Sequence, residues 1–206
     1  MKYLFLTLIM GGLLLAGCKR NILFGTGQTT VEGTVKDAIS GNAIPGAAVS
    51  ITSKDKDVVG GWYSELTYTV ADENGHYELE FDAELGYTYQ VRAFHDLYNE
   101  VDTQVEVKRA RKNNNTDIKL KPYGWVRANF INEPPLDTAS SIGCNSCLNN
   151  PFRIWSVSLD TFQIEQVLAG QEYRLIFSIY KKEIRSVTTI WINVPPLDTV
   201  DCIVTY

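Results

Sequence analysis

Hydrophobic and polar residues alternate with a period of two along most of the chain beyond residue 30, which predicts strands rather than helices. Val31, Gly33 and Val35 share one face of a first strand, and Val49 and Ile51 mark a second after a turn at Ser40-Gly41-Asn42. Leu66, Tyr68 and Val70 mark a third strand. Tyr77, Leu79 and Phe81 mark a fourth and point inward. Tyr87, Tyr89, Val91 and Ala93 follow, then Val101, Val105 and Val107, then Ile118 and Leu120. These seven short strands are separated by Gly, Asn, Asp and Pro turns, and no segment has a convincing helical period. β-Branched and aromatic residues at this spacing fit a half-buried pleated surface, so the segment reads as a β-sandwich.

The pattern continues over residues 122–206, which read as a second all-β unit. Trp125, Arg127, Asn129 and Ile131 alternate with Val126, Ala128 and Phe130. Further strands are expected at 152–159, 172–180, 187–194 and 201–206, with a hairpin turn at Leu168-Ala169-Gly170-Gln171-Glu172-Tyr173. The segments FINEPPLDT (130–138) and WINVPPLDT (191–199) echo one another. Each ends a strand with Pro-Pro, which removes two ladder donors. They read as two similar strand exits on one edge of the sandwich, since the likeness stops after nine residues.

The amino terminus follows a different pattern. Leu4 to Leu15 is an uncharged apolar run of about twelve residues, too short for a permanent membrane helix and of the right length for a signal-peptide core. Leu15-Ala16-Gly17-Cys18 comes next, then Lys19-Arg20. This tetrad resembles the lipobox of bacterial lipoproteins. The resemblance implies cleavage after Gly17 and several acyl chains on Cys18, enough for stable membrane anchoring where one chain would be marginal. Residues 1–17 are then a signal peptide and 18–29 a tether. Lys19 is not the aspartate that retains lipoproteins at the inner membrane in well-studied bacteria, which implies the outer membrane. KRNILFG lacks the acidic run associated with surface export in some Bacteroidetes, so the periplasmic and cell-surface sides both stay open.

Two segments carry a second resemblance. VEGTVKDAISGNAIPGAAVSI (31–51) is a G-x-V strand, a polar turn and an I-P-G-A-x-V strand. ADENGHYELEF (71–81) is a D-x-x-G-x-Y-x-L-x-F hairpin. Together they resemble the carboxypeptidase regulatory-like domain, common in exported Bacteroidetes proteins, over residues 30–121. The resemblance implies a seven-stranded transthyretin-like sandwich. Gly33 is expected to let another backbone approach the strand, and Asn74-Gly75 to take positive φ in the hairpin.

Composition narrows the function classes. With Lys2 removed, 18 basic residues face 24 acidic ones, a net −6. An acidic chain without a long basic stripe argues against a nucleic-acid partner. The basic cluster Lys108-Arg109-Ala110-Arg111-Lys112 reads as a solvated turn. Cys144, Cys147 and Cys202 cannot all pair within one chain. One structural disulfide is expected, from Cys202 to Cys144 or Cys147, or closing the short 144–147 loop. A zinc site would need a second C-x-x-C or a histidine pair, and neither exists.

No metal or other cofactor is expected, and no catalytic residue is assigned. His76 and His95 lack ligand spacing, and Glu78 and Glu80 read as decoration of a solvent-facing strand. A glycosidase would want a carboxylate pair across a cleft instead. Aromatics are the better binding candidates: Trp62 and Tyr63 in the glycine-flanked loop VVGGWYSEL, and Tyr98 on a second loop. The chain thus reads as a non-enzymatic envelope module, held to the membrane through Cys18, that binds a protein or glycan. The alternative is an accessory subunit of an outer-membrane transport or secretion complex.

Overall fold

A computed structural model describes residues 26–100, 104–134, 137–144 and 151–206. Among them there is no helix, and strands dominate throughout. The N-terminal half opens with β1 (Gly27–Asp37), β2 (Ala48–Asp55), β3 (Ser64–Val70), β4 (His76–Ala83) and β5 (Tyr87–Phe94). Three short strands follow: β6 (Tyr98–Asn99), β7 (Val105–Val107) and β8 (Lys112–Asn113). Then comes β9 (Ile118–Ile131), fourteen residues long. The C-terminal half adds β10 (Ala139–Cys144), β11 (Phe152–Val157), β12 (Thr161–Leu168), β13 (Glu172–Lys181), β14 (Ile184–Asn193) and β15 (Thr199–Thr205).

Alternation builds the first core. In β4 every second residue is buried, so Tyr77, Leu79, Phe81 and Ala83 face in while His76, Glu78, Glu80 and Asp82 face water. β1 pairs antiparallel with β4, Gly33 opposite Tyr77, and its C-terminal end runs parallel to β9, Val35 beside Ile118. The facing sheet has the order β3-β2-β5-β7. Val31, Val35, Val49, Ile51, Tyr77, Val91, Ile118 and Leu120 meet between the layers. Each large side chain removed from water there contributes roughly 1.5–3 kcal/mol. With β4, β1 and β9 on one layer and four strands on the other, seven main strands form the sandwich, with β6 and β8 as short additions.

The second core lies between β12-β9-β15 and the sheet β11-β10-β13-β14. Here β9 is central, antiparallel to β12 and parallel to β15. Its even-numbered residues face inward along the whole strand: Ile118 and Leu120 enter the first core, and Val126, Ala128 and Phe130 the second. Residue 121, where the sequence pattern suggested a boundary, therefore lies inside one unbroken strand.

Two expectations change in this half. Residues 168–173 do not close a hairpin, because β12 and β13 belong to different sheets. The segment crosses between layers instead, with Gly170 at φ +73° donating its N–H to the Val194 carbonyl at 2.8 Å. The two Pro-Pro exits do not share an edge either. One leaves β9 and the other leaves β14, on opposite layers. The second packs back at the junction, where Leu197 donates its N–H to the Tyr123 carbonyl at 2.8 Å. The first lies at the other end, where Glu133 donates to Tyr206.

Candidate functional site

On the outer face of the β3-β2-β5-β7 sheet, large apolar side chains meet water. Register places Val70, Ala48 and Phe94 in one cross-strand row, and Tyr68, Ser50 and Arg92 in the next. Beyond the β-bulge at Ile51/Thr52, Glu65 stands opposite Thr52, which pairs Gln90 on its other side. Small residues on β2 form a floor between large ones on β3 and β5. The result is a groove of about 480 Å³ lined by Ser50, Tyr63, Glu65, Tyr68, Arg92 and Phe94, among others. Arg92 Nη2 lies 3.7 Å from Glu100 Oε2. Tyr68 is 68% exposed and Phe94 51%.

Strand periodicity alone does not separate these residues from core. Tyr68 and Val70 help mark β3 as a strand, yet they face out because the pairing of β3 with β2 puts Thr67 and Thr69 on the inner side. Phe94 also carried a signal, since it stands out of phase with Tyr89, Val91 and Ala93, which are inward.

The three aromatics singled out from the sequence separate in space. Trp62 is 91% exposed at the loop tip and does not line the groove. Tyr63, its neighbour, turns into the groove, with Lys54 Nζ 5.8 Å from its ring centre. Tyr98 is structural. It pairs with Pro122 in the ladder, packs on the first core and meets His95 edge-on at 5.3 Å. Burial, helped by its hydrogen bond to the Asp37 carboxylate, raises the pKa of its hydroxyl. Asp37 itself is buried and also accepts the N–H groups of Ile39 and Ser40 at 2.7 and 2.8 Å.

The other chemistry-bearing groups hold the fold. Asp72 Oδ1 accepts the N–H groups of Asn74 and His76, both at 2.8 Å, and so shapes the hairpin, with Gly75 at φ +71°. Glu32 lies 2.7 Å from Lys112 Nζ and 3.5 Å from His76 Nε2, and its pKa is lowered, Lys112 first and His76 second. Arg109 donates to the Glu84 carbonyl, so the basic 108–112 segment is a turn laced to its neighbours. Among the described residues, no group of three or more His, Cys, Asp or Glu could hold a metal ion.

Cysteine pairing differs in one respect from the expectation. Cys202 is a free, buried thiol on β15, its pKa pushed up to about 11 by burial and by neighbouring Asp201. It therefore bridges neither Cys144 nor Cys147. Cys144 ends β10 on the opposite sheet. Packed sheets stand about 10 Å apart, beyond the Cα separation a disulfide usually spans. Cys144 is itself disulfide-bonded; Cys18 and Cys147 lie outside the described residues.

Comparison with solved structures finds remote likenesses. The Bacillus anthracis TIE protein is 12% identical, with a TM-score of 0.38; the match covers 86% of this chain and 34% of that one. A Streptococcal ancillary pilin is 14% identical, with a TM-score of 0.40, covering 85% of this chain and 62% of that one. The C-terminal domain of the shaft pilin SpaA from Lactobacillus rhamnosus GG is 20% identical, with a TM-score of 0.32, covering 47% of this chain and 98% of that domain. The chain thus spans about a third of the first of these proteins. No curated protein matches it. Residues 30–121 match the family model of the carboxypeptidase regulatory-like domain, the family its two motifs resemble.

Proposed function

We propose that this chain is a non-catalytic binding module of the cell envelope, anchored through lipid on Cys18 at the outer membrane, and that its N-terminal groove takes a glycan. The observation that carries the reading is the aromatic-walled groove on the outer face of the N-terminal sheet. At about 480 Å³ it has the size of a small-ligand site rather than that of a flat protein interface. Tyr63, Tyr68 and Phe94 offer ring faces for stacking on sugars, and Glu65, Arg92 and Ser50 offer hydrogen-bonding groups beside them. Outside the groove, Glu32 is committed to an ion pair, Asp72 to a hairpin turn, and Glu78 and Glu80 to water-facing strand positions, which supports a binding role over a hydrolytic one.

A glycan array followed by titration calorimetry tests this. The expected outcome is a saccharide ligand whose affinity falls at least tenfold, about 1.4 kcal/mol, when Tyr68→Ala and Phe94→Ala are combined. Both side chains are exposed, so stability is expected to change by less than about 1 kcal/mol. Trp62→Ala, outside the groove, is expected to have less effect. An array without hits, or a ligand that ignores the double variant, overturns the glycan reading. A protein captured through Tyr68 and Phe94 would make the groove a protein interface.

A further inference from the structure

The second sandwich carries its own unusual face. On the outer side of β11-β10-β13-β14, three arginines each lie over an aromatic ring. Arg153 is 5.3 Å from the Trp155 ring, Arg174 5.8 Å from Trp191, and Arg185 5.9 Å from Tyr180. Register makes this one surface. Arg174 stands opposite Trp191, and Tyr180 opposite Arg185. Ser141 joins Tyr180 to Trp155 across β10, and Gly143 joins Ser178 to Arg153. Trp155 and Trp191 are 66% and 60% exposed. The floor between the strand edges is small, made of Ser141, Gly143 and Ser178, all buried beneath the larger side chains.

Charge on this face departs from the rest of the chain. None of the three guanidiniums makes an ion pair among the described residues. Arg185 donates to Ser178 Oγ at 3.2 Å, which leaves further donors of its fork available. One carboxylate, Glu172, shares the described outward strand positions, at the far end opposite Asn193. An acidic protein therefore presents a local field of the opposite sign. Stacking on an indole or phenol ring holds a guanidinium in place while its N–H edges stay available for planar, bidentate anion recognition.

We propose that this face binds a carboxylate-bearing polysaccharide. Arg174 and Tyr180 are six residues apart on one strand, roughly 20 Å at about 3.3 Å per residue, so the site suits an extended polymer rather than a single sugar. Guanidiniums pair with uronate carboxylates, and the exposed indoles stack on the ring faces between them. A neutral glycan would leave the arginines without counter-charges. The face is separate from the N-terminal groove and does not depend on it.

Native gel electrophoresis of the full chain through gels containing polygalacturonate, with dextran as the neutral comparison, tests the proposal. Retardation is expected in polygalacturonate, weakening as salt rises, with little in dextran. Combining Arg153→Ala, Arg174→Ala and Arg185→Ala is expected to weaken binding at least tenfold. The three Arg→Lys changes, which keep charge but lose the planar fork, are expected to fall between. All six are surface substitutions, and circular dichroism checks that each variant folds. Tyr68→Ala with Phe94→Ala should leave the retardation unchanged, which separates this site from the groove. The proposal is overturned if polygalacturonate does not retard the protein, or if the triple Ala variant is retarded as strongly as the parent. It is also overturned if the triple Ala variant loses affinity for poly-glutamate, or for phosphatidylglycerol over phosphatidylcholine vesicles, more than for polygalacturonate. Those results would assign the face to an acidic peptide or a lipid surface.

Discussion

Gly33 shows how one missing methyl group fixes a packing contact. A Cβ there would stand 2.2 Å from the Thr116 carbonyl oxygen and 3.0 Å from the Tyr77 hydroxyl. Tyr77 uses the same approach, donating its buried hydroxyl to the Thr116 carbonyl at 2.5 Å. Burial pushes the pKa of that hydroxyl well above the usual tyrosine range. Gly33→Ala should force the 113–117 segment off β1 and lower stability by about 1–3 kcal/mol. Tyr77→Phe should cost about 1–3 kcal/mol by leaving a buried carbonyl unpaired. Thermal melts read both, and a Gly33→Ala variant as stable as the parent would show that the close approach is not required. The need for glycine here was readable from the G-x-V motif. Its partner, Thr116, lies 83 positions away and could not be read locally.

At the scale of elements, β9 ties the halves together. One inward phase runs from Ile118 through Phe130 and feeds two cores. The junction is tight around it. A Cβ on Gly124 would meet Val194 Cγ1 at 2.5 Å and the Pro195 carbonyl at 2.6 Å. Ala38 donates to the Leu120 carbonyl, and Tyr123 to that of Leu97. Because strand side chains alternate, a one-residue shift moves every inward residue to the other face. Inserting a single alanine between Pro122 and Tyr123 should therefore abolish the calorimetric transition of the second sandwich, whose Val126, Ala128 and Phe130 would turn outward. The N-terminal transition should persist. Two intact transitions would mean that β9 does not transmit register. Alternation identified strands on both sides of residue 121, but it could not show that they are one strand. A sandwich boundary and a strand interior look alike when the phase is unbroken.

For the whole molecule, the parallel alignment of β1 and β9 sets the long dimension. From Gly27 to Val35 and then from Ile118 to Ile131 the path is roughly 70 Å at about 3.3 Å per residue. Gly27 lies at one end of this path and the second core at the other. A lipid on Cys18 would thus hold the first sandwich near the membrane and leave the Arg-aromatic face distal. Cys18→Ala should move the protein from the membrane fraction to the soluble fraction of fractionated cells. Retention in the membrane fraction would argue against anchoring through this cysteine.

Both outer sheets use one design, in which small residues floor a lane between aromatic and arginine side chains. Ala48 and Ser50 do this in the first sandwich, and Ser141, Gly143 and Ser178 in the second. That this chain is all-β, that its N-terminal part carries the regulatory-like domain motifs, and where most strands run are all legible in the residues alone. Those properties follow from local alternation and turn residues. In β4 the wet face is legible, because Glu78 and Glu80 alternate with Tyr77, Leu79 and Phe81; in β3 and in the outer sheet of the second sandwich it is settled by the fold. That depends on pairing between distant segments, such as Ser50 with Tyr68 and Arg92, or Ser141 with Tyr180 and Trp155. The fold also decided that Trp62 and Tyr63 diverge, that Tyr98 is a packing residue and that Cys202 stays unpaired. The outcomes for Tyr98 and Cys202 are set by which strand each residue joins, and strand pairing is fixed by contacts far apart in the chain.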